Sequence, residues 1–315
     1  MKLLHIGLCV NRDKNIGLSK AFRNRCEKYE EFPISAELPN QVKSIDFKPD
    51  IVFCQIQSEE LAKGVRTNDR LGGVMNSLML GGAFILNWTG DIRNRIPDWM
   101  RWFPCDVTCF SNMRDVNDFT KESEFLQIGI DPETFKLGYP HVNVPDIVYM
   151  ANRNPQFPLA GKRSQLVRRL QDHYGSNFGL YGIGYPNPID NLNADGRNPH
   201  ANQSREAQVY NHTKIAISLS NYKVERYTSD RLLRCMGSGA CTISHHYPGI
   251  EQDFKVGEHL ETFHHLDDLI VKIDQLLADP KRRTEIALNG YKHIHENFTY
   301  HSMVQNIFDI YEARK

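Results

Sequence analysis

One short run of this sequence places hydroxyl, carboxylate and guanidinium groups directly ahead of an apolar stripe. Thr228, Ser229 and Asp230 come first, and Arg231 and Arg234 follow. Small polar residues before such a stripe are typical of the capped start of a helix. A helix start offers unpaired N–H groups and a positive dipole end, and guanidinium groups bind phosphate with paired donors. The run therefore predicts a cradle for a nucleotide diphosphate, with a surface helix bearing solvated arginines as the alternative interpretation.

The residues after this run complete a unit of helix, strand and loop. Glycines in the run Gly237-Ser-Gly239 are expected to end the helix, residues 240–243 read as a short buried strand, and residues 247–249 form a turn. The turn brings three further candidates for binding the nucleotide ligand, namely Gly249, Ile250 and Glu251.

Buried strands alternate with helices over the first 130 residues. We expect strands over residues 3–10, 50–56, 83–88, 106–111 and 125–130. This alternation predicts a doubly wound parallel sheet, in which ligands lie beyond the carboxyl ends of the strands. The candidate binding residues in these strand-end loops are Gly17, Trp88 and Gly90.

Asp91 is the candidate catalytic carboxylate of the same loops. A carboxylate at a strand end could contact the bound ligand or accept a proton during a reaction. The alternative is that Asp91 caps the helical region over residues 98–102. We predict the first role for Asp91 and a second catalytic role for Arg231.

The pattern of strands and helices starts again in the second half of the chain. A proline-bearing run over residues 138–145 precedes it, and strands are expected over residues 147–151, 178–181 and 214–219. The sequence thus predicts two Rossmann-like domains, residues 1–140 and 141–315. Asn152, Arg163 and Gly182 are the donor-binding candidates near the new strand ends, although Arg163 could equally be a solvated residue of a basic helix.

Composition is that of an ordinary globular protein. The 315 residues are 40% hydrophobic and 24% charged, and the counts of Lys plus Arg and of Asp plus Glu are both 38. This balance gives no sign of a polyanionic partner, although a local groove could still bind one.

The cysteines and histidines predict no metal site. The seven cysteines are scattered without zinc-binding spacing, and the histidine pairs at residues 245–246 and 264–265 have no carboxylate or cysteine at ligand spacing. We therefore expect no metal and no resident cofactor. The odd cysteine count, and a start without a secretory leader or membrane span, lead us to expect a cytoplasmic protein.

Several motifs together resemble those of the GT-B glycosyltransferases. The run Ile128-Gly-Ile-Asp-Pro-Glu-Thr-Phe135 is similar to their inter-domain signature, and residues 84–91 and 109–112 fall at strand ends that family 4 members also have. The resemblance implies two domains facing across a cleft, the first binding the acceptor and the second the nucleotide sugar. It leaves open that the C-terminal helices pack back on the first domain.

The sequence also resembles the glycosyltransferases of the spore-maturation CgeB-type group and phage-encoded glycosyltransferases. These share the motifs Ser229-Asp-Arg231 and Gly237-Ser-Gly239 and an ending like residues 290–299. The resemblance implies transfer of a sugar, with a UDP-sugar as the leading donor, and no metal requirement. It leaves the acceptor open among a glycan, a protein side chain and a modified DNA base.

One departure from family 4 concerns the donor ribose. Family 4 enzymes carry two glutamates eight positions apart, and Arg226 and Arg234 occupy those positions here. Asp230 and Glu251 are then the remaining candidates for the ribose. Because of this departure, a catalytically inactive sugar-binding protein is an alternative to a transferase. A nucleotide-sugar epimerase or phosphorylase is another alternative, since it shares the architecture.

Overall fold

A computed structural model describes residues 1–7, 16–35, 37–56, 69–90, 95–182, 184–185 and 199–315. The chain forms two compact units. The first unit comprises Met1–Ile128 and Tyr300–Lys315, and the second comprises Gly129–Thr299. The division thus falls ahead of the expected boundary at residue 140, and the last helix belongs to the first unit.

The first unit is built on a parallel sheet whose described strands run in the order β2-β1-β3-β4-β5-β6. Its elements in chain order are β1 (Lys2–Gly7), α1 (Ile16–Arg25), β2 (Lys28–Pro33), α2 (Leu38–Lys43), β3 (Ile51–Gln55), α3 (Asp69–Leu80), β4 (Phe84–Thr89), α4 (Trp99–Trp102), β5 (Val107–Phe110), α5 (Met113–Asp118), β6 (Ser123–Phe125) and α12 (Tyr300–Glu312).

Both faces of this sheet are covered by helices. Successive residues of one strand point to opposite faces, so Leu3 packs with α1 and α12 whereas Leu4 packs with α2, α3 and α4. A strand buried on both faces carries a continuous apolar run, which is why β1, β3 and β4 were predictable.

Two strands of the first unit differ from the expectation. Strand β2 was not predicted, because its residues Lys28–Pro33 are mostly polar and only partly buried at the sheet edge. The strand expected over residues 125–130 is instead β6, Ser123–Phe125. Beyond it, Ile130 makes an isolated bridge with Thr299 and belongs to the second unit.

The second unit repeats the architecture with a sheet in the order β11-β10-β9-β7-β8, again parallel. Its elements are β7 (Ile147–Met150), α6 (Ala160–Tyr174), β8 (Phe178–Tyr181), α7 (Pro199–His212), β9 (Ile215–Ser218), α8 (Asp230–Gly237), β10 (Cys241–His245), α9 (Ile250–Asp253), β11 (Glu261–Phe263), α10 (Leu266–Ala278) and α11 (Pro280–Asn297).

The strand order fixes where the second unit can bind a ligand. From β7 the chain goes to β8 on one side, whereas from β9 it goes to β10 and β11 on the other. Such a topological switch point opens a crevice beyond the carboxyl ends of the two central strands. Two parallel sheets with helices on their faces confirm the predicted class of two Rossmann-like domains. Across the described helices, none is long and apolar enough to cross a membrane.

Candidate active site

Arg163 is the most unusual side chain at the switch point of the second unit. It lies in the first turns of α6, and only 1% of the residue is exposed. Its Nε donates to the Tyr149 hydroxyl at 2.8 Å, and its Nη1 donates to Oδ1 of Asn221. No hydrogen-bond partner of Nη2 and no carboxylate paired with this guanidinium is found among the described residues. A buried cation with a spare donor is a site that an anion can complete.

The surrounding elements hold Arg163 in place from both central strands. Tyr149, on β7, donates its hydroxyl proton to the carbonyl of Leu219 just after β9, at 3.1 Å. The amide of Leu159, at the start of α6, donates to the carbonyl of Asn221 at 3.2 Å. The buried face of α6 consists of Arg163, Leu166, Val167 and Leu170, so the arginine occupies a core position of the helix. The interpretation of Arg163 as a solvated helix residue is therefore wrong.

The charges of three arginines act on the buried side chain of Tyr185. Burial raises the pKa of this tyrosine, and the charges of Arg163, Arg231 and Arg153 act in the opposite direction. Positive charge is thus concentrated near the carboxyl edge of β7 and β8.

The start of α8 differs from the predicted cradle. Ser229 is the N-cap and accepts from the amide of Leu232 at 3.4 Å, and Asp230 accepts from the amide of Arg231 at 2.8 Å. The hydroxyl of Thr228 is buried and bonded to that of Tyr247 at 2.7 Å. These side chains already occupy donors that the prediction reserved for phosphate, because serine and aspartate at a helix start compete with any external anion.

Arg231 keeps its charge available. Its guanidinium makes no hydrogen bond or ion pair with any residue that the structure describes, and the side chain is half-buried. Desolvation opposes its charge, but Tyr149, Tyr210 and Asp230 together raise the pKa of the guanidinium. Desolvation likewise opposes the charge of Asp230, yet Arg234 and Arg231 lower the pKa of its carboxyl.

Arg234 is paired within the fold. Its two terminal nitrogens lie 3.2 Å from Glu206 and 3.0 Å from Asp230, and the guanidinium stacks 5.4 Å from the ring centre of Phe135. Burial raises the pKa of Glu206, and Arg234 opposes this shift. These pairs argue against the assignment of Arg234 to the donor, because its charge is balanced by the half-buried carboxylate of Glu206 and by Asp230.

The turn after β10 is tied to the loop that precedes α8. Gly249 has φ +81°, in the left-handed region that glycine favours, and Ile250 is fully buried with its amide bonded to the Tyr247 carbonyl at 3.3 Å. Glu251 is exposed and accepts from His246 at 2.9 Å. The side chain of Ile250 therefore lies in the core, which argues against its assignment as a donor-binding residue.

Arg226 holds this turn against the loop. It has φ +51°, and its guanidinium makes a two-pronged pair with Asp253 of α9, with the shortest distance 2.8 Å. Its amide donates to the carbonyl of Pro248 at 2.7 Å. Both positions at which family 4 carries glutamates thus hold arginines that are neutralised by acids.

Asn152 and Gly182 lie side by side where β7 and β8 end. Gly182 has φ +140°, and a Cβ there would lie 2.6 Å from the carbonyl carbon of Ala151 and 3.1 Å from Oδ1 of Asn152. Only glycine permits this close approach of the two strand ends. Gly182 is therefore required by the backbone, and Asn152 is exposed beside it.

The candidates of the first unit are placed differently. Trp88 is 4% exposed in the core on β4, where its indole N–H donates to the carbonyl of Leu126 at 2.9 Å, so its assignment to a donor-binding loop is corrected. Gly90 packs against the Trp88 ring, and Gly17 lies within the first turn of α1. Asp91 lies outside the described residues, and its role stays a prediction.

Sequence reasoning missed several residues at the switch point. Tyr149, Asn221, Glu206 and His245 were not singled out as site residues, because their partners come from distant elements. His245 is buried at the end of β10, and its Nδ1 accepts from the amide of Ser220 at 3.4 Å. Burial lowers the pKa of His245 to about 4. For Asn221, the sequence offers one signal of a site residue: it lies among polar residues that follow the apolar strand β9.

Among the described side chains, no group of three or more histidine, cysteine, aspartate or glutamate residues is arranged to hold a metal ion. The expectation of a metal-independent site stays a prediction.

Comparisons with known proteins agree with this architecture. Residues 162–309 match the family described as glycosyl transferase-like. HepE from Anabaena, solved with UDP and glucose, is 11% identical, with a TM-score of 0.65 over 99% of this chain and 100% of that chain. A glycosyltransferase from Rickettsia africae is also 11% identical, with a TM-score of 0.64 over 99% and 98% of the two chains.

A sucrose-phosphate synthase from Thermosynechococcus elongatus is 10% identical, with a TM-score of 0.60 over 99% of both chains. No curated protein matches the sequence. At these identities the structural similarity shows a shared fold. Residues 162–309 are thus similar to a glycosyl transferase-like family, and the chain shares its fold with the Rickettsia africae glycosyltransferase and with HepE.

Proposed function

We propose that the protein transfers a sugar from a nucleotide-diphosphate sugar to a hydroxyl acceptor, and that it does so without a metal ion. The single observation that carries this proposal is Arg163, a buried guanidinium with an unused donor at the switch point of the second unit. That unit contains most of the segment that matches the glycosyl transferase-like family.

The chemistry of transfer explains the need for such a site. The bond between the sugar carbon and the diphosphate breaks, so negative charge grows on the departing diphosphate. Preorganised cations stabilise that charge more in the transition state than in the bound donor. Arg163 and Arg231 supply this role in our proposal, since the guanidiniums of Arg226 and Arg234 are already paired with acids.

A UDP-sugar is the donor that we propose. The support is the resemblance to family 4 glycosyltransferases, together with the UDP and UDP-glucose bound to HepE from Anabaena. We also propose membership of the CgeB-type and phage-related group, on the motifs at residues 229–231 and 237–239. The proposed cytoplasmic location agrees with the six described cysteines, which are all free thiols.

Donor hydrolysis by the pure protein tests the proposal. We expect release of UDP from a UDP-sugar in the presence of EDTA, and a loss of about 10- to 100-fold in the Arg231→Ala variant, since one charge-assisted bond is worth about 1.5–3 kcal/mol. Arg168→Ala, on the exposed side of α6, is the matched control and is expected to keep the activity. A chelator-sensitive activity that added divalent ions restore would contradict metal independence.

An inactive sugar-binding protein is the second candidate, because both glutamate positions of family 4 hold paired arginines. It predicts that UDP-sugars bind but are neither hydrolysed nor transferred to any acceptor pool. Mass spectrometry of acceptor pools after incubation with the donor distinguishes the two functions.

A further inference from the structure

Asn221 faces the guanidinium of Arg163 from the far side of the switch point. Its Oδ1 accepts from Nη1 of Arg163. A guanidinium has only donors, so chemistry fixes the orientation of this amide: the oxygen faces the arginine and the two N–H donors face away. Asn221 therefore presents its two N–H donors on the side of the amide that faces away from Arg163, while Nη2 of Arg163 keeps its own donors unused.

The backbone that carries Asn221 is anchored on three sides. The carbonyl of Leu219 accepts from Tyr149, the amide of Ser220 donates to His245, and the carbonyl of Asn221 accepts from the amide of Leu159. Strands β7 and β10 and the start of α6 thus hold one short segment after β9. The position of the Asn221 amide is consequently set by the fold.

The arginines in this region differ in whether a carboxylate balances their charge. Arg234 lies between the carboxylates of Glu206 and Asp230, and Arg226 is paired with Asp253. Arg163 is more buried than either, yet its side-chain partners in the described part of the chain are the neutral groups of Tyr149 and Asn221. A buried guanidinium without a counter-ion is unfavourable, so its neutral environment calls for an external anion.

We propose that Asn221 is a specificity-determining residue, whose neutral amide fixes Arg163 without cancelling its charge and thereby reserves that charge for the diphosphate of the donor. This inference rests on the proposed function. An aspartate has nearly the same shape as asparagine and would keep the bond to Arg163. It would, however, supply the negative charge from within the protein, in competition with the ligand.

The substitution Asn221→Asp therefore has two opposite consequences. The folded protein gains a partner for a buried cation, so its melting temperature rises, by about 2–4 °C. The affinity for an anion falls, because the site is already neutral and the new carboxylate repels phosphate. A purely structural role of Asn221 predicts no loss of anion binding in a variant that is more stable.

Calorimetry with UDP, uridine and inorganic pyrophosphate tests this inference. For Asn221→Asp we expect the affinity for UDP and for pyrophosphate to fall about 10- to 100-fold while the affinity for uridine is unchanged. Asn221→Ser, which keeps a neutral acceptor, is expected to stay within a few-fold of the wild type. The matched control is Asn177→Asp, which adds the same charge at the amino end of β8, whereas Asn221 follows the carboxyl end of β9.

The outcomes separate this inference from the proposed function. Equal binding of UDP by the wild type and Asn221→Asp would overturn the role of Asn221 and leave the proposed function standing. Failure of the wild type to bind either UDP or pyrophosphate would refute the proposed function itself. If Asn177→Asp lowered the UDP affinity as much as Asn221→Asp does, the loss would be due to the net charge of the protein, and the inference would also be overturned.

Discussion

Replacement of Gly182 by alanine tests whether the strand ends at the switch point are held as closely as the structure shows. Gly182 directly follows β8 and has φ +140°, a region that side-chain-bearing residues rarely adopt. A Cβ at this position would lie 2.6 Å from the carbonyl carbon of Ala151 and closer still to its oxygen. Both obstacles are backbone, so no rotation of a side chain relieves them.

The expected destabilisation follows from these two terms. The backbone conformation costs an alanine about 1–3 kcal/mol, and forcing the strand ends apart adds about 1–3 kcal/mol. The sum, about 2–6 kcal/mol, is a large part of the 5–15 kcal/mol by which a typical protein is stable. The matched control is Gly161→Ala in α6, where a Cβ meets nothing within 4 Å and helix propensity predicts a gain of about 0.5–1 kcal/mol.

Hydrogen exchange measured by mass spectrometry on peptides from β7 and β8 reports this loss locally, and urea denaturation followed by circular dichroism reports it globally. Each 1.4 kcal/mol of lost stability accelerates exchange through unfolding about tenfold. A Gly182→Ala protein within 0.5 kcal/mol of the wild type, or one no less stable than Gly161→Ala, would refute the reasoning.

Three further predictions concern buried polar groups. Burial lowers the pKa of His5 and of His245 to about 4, so the unfolded chain binds a proton before the folded protein does as the pH falls below about 6.5. Each histidine should therefore cost about 2 kcal/mol of stability between pH 7 and pH 5, measured by urea titration. The variant His5→Gln should lose the part of this pH dependence that His5 contributes. Trp88→Phe loses the bond to Leu126 and should cost about 1–2 kcal/mol without changing UDP affinity in calorimetry. Arg234→Met leaves the half-buried carboxylate of Glu206 unpaired and should cost about 1–3 kcal/mol, again with UDP affinity within threefold of the wild type.

The contrary results are equally specific. A stability that does not fall between pH 7 and pH 5 would show that the two histidines are not held neutral in the folded protein. A large loss of UDP affinity in the Trp88 variant would return this residue to the site, and the same loss in the Arg234 variant would show that its ion pairs open for the ligand.

Most strands were predictable because burial on both faces leaves a continuous apolar run, as in β1, β3 and β9. Strand β2 escaped because Lys28–Pro33 is a polar edge strand. The apolar residue Ile130 suggested a strand, yet it packs against Gly237 within the second unit. These differences arise from tertiary contacts that no local pattern encodes.

The candidate site was predictable in location but not in its charge pairing. The start of α8 was recognised from Ser229, and the same serine then proved to occupy a donor intended for phosphate. The sequence placed Arg234 in the predicted phosphate cradle and offered Arg163 as a further candidate from a basic helix. Only the fold shows that Glu206 of α7 neutralises one while Tyr149 and Asn221 leave the other charged.

The most direct test of the central claim, that Arg163 binds the donor diphosphate, is calorimetry of UDP and of uridine with Arg163→Gln. Arg168→Gln removes an exposed arginine from the same helix and is the control, and melting curves establish that both variants are folded. We predict that Arg163→Gln binds UDP about 10- to 100-fold more weakly and uridine as the wild type does. Unchanged UDP affinity, or equal losses for UDP and uridine, would contradict the claim.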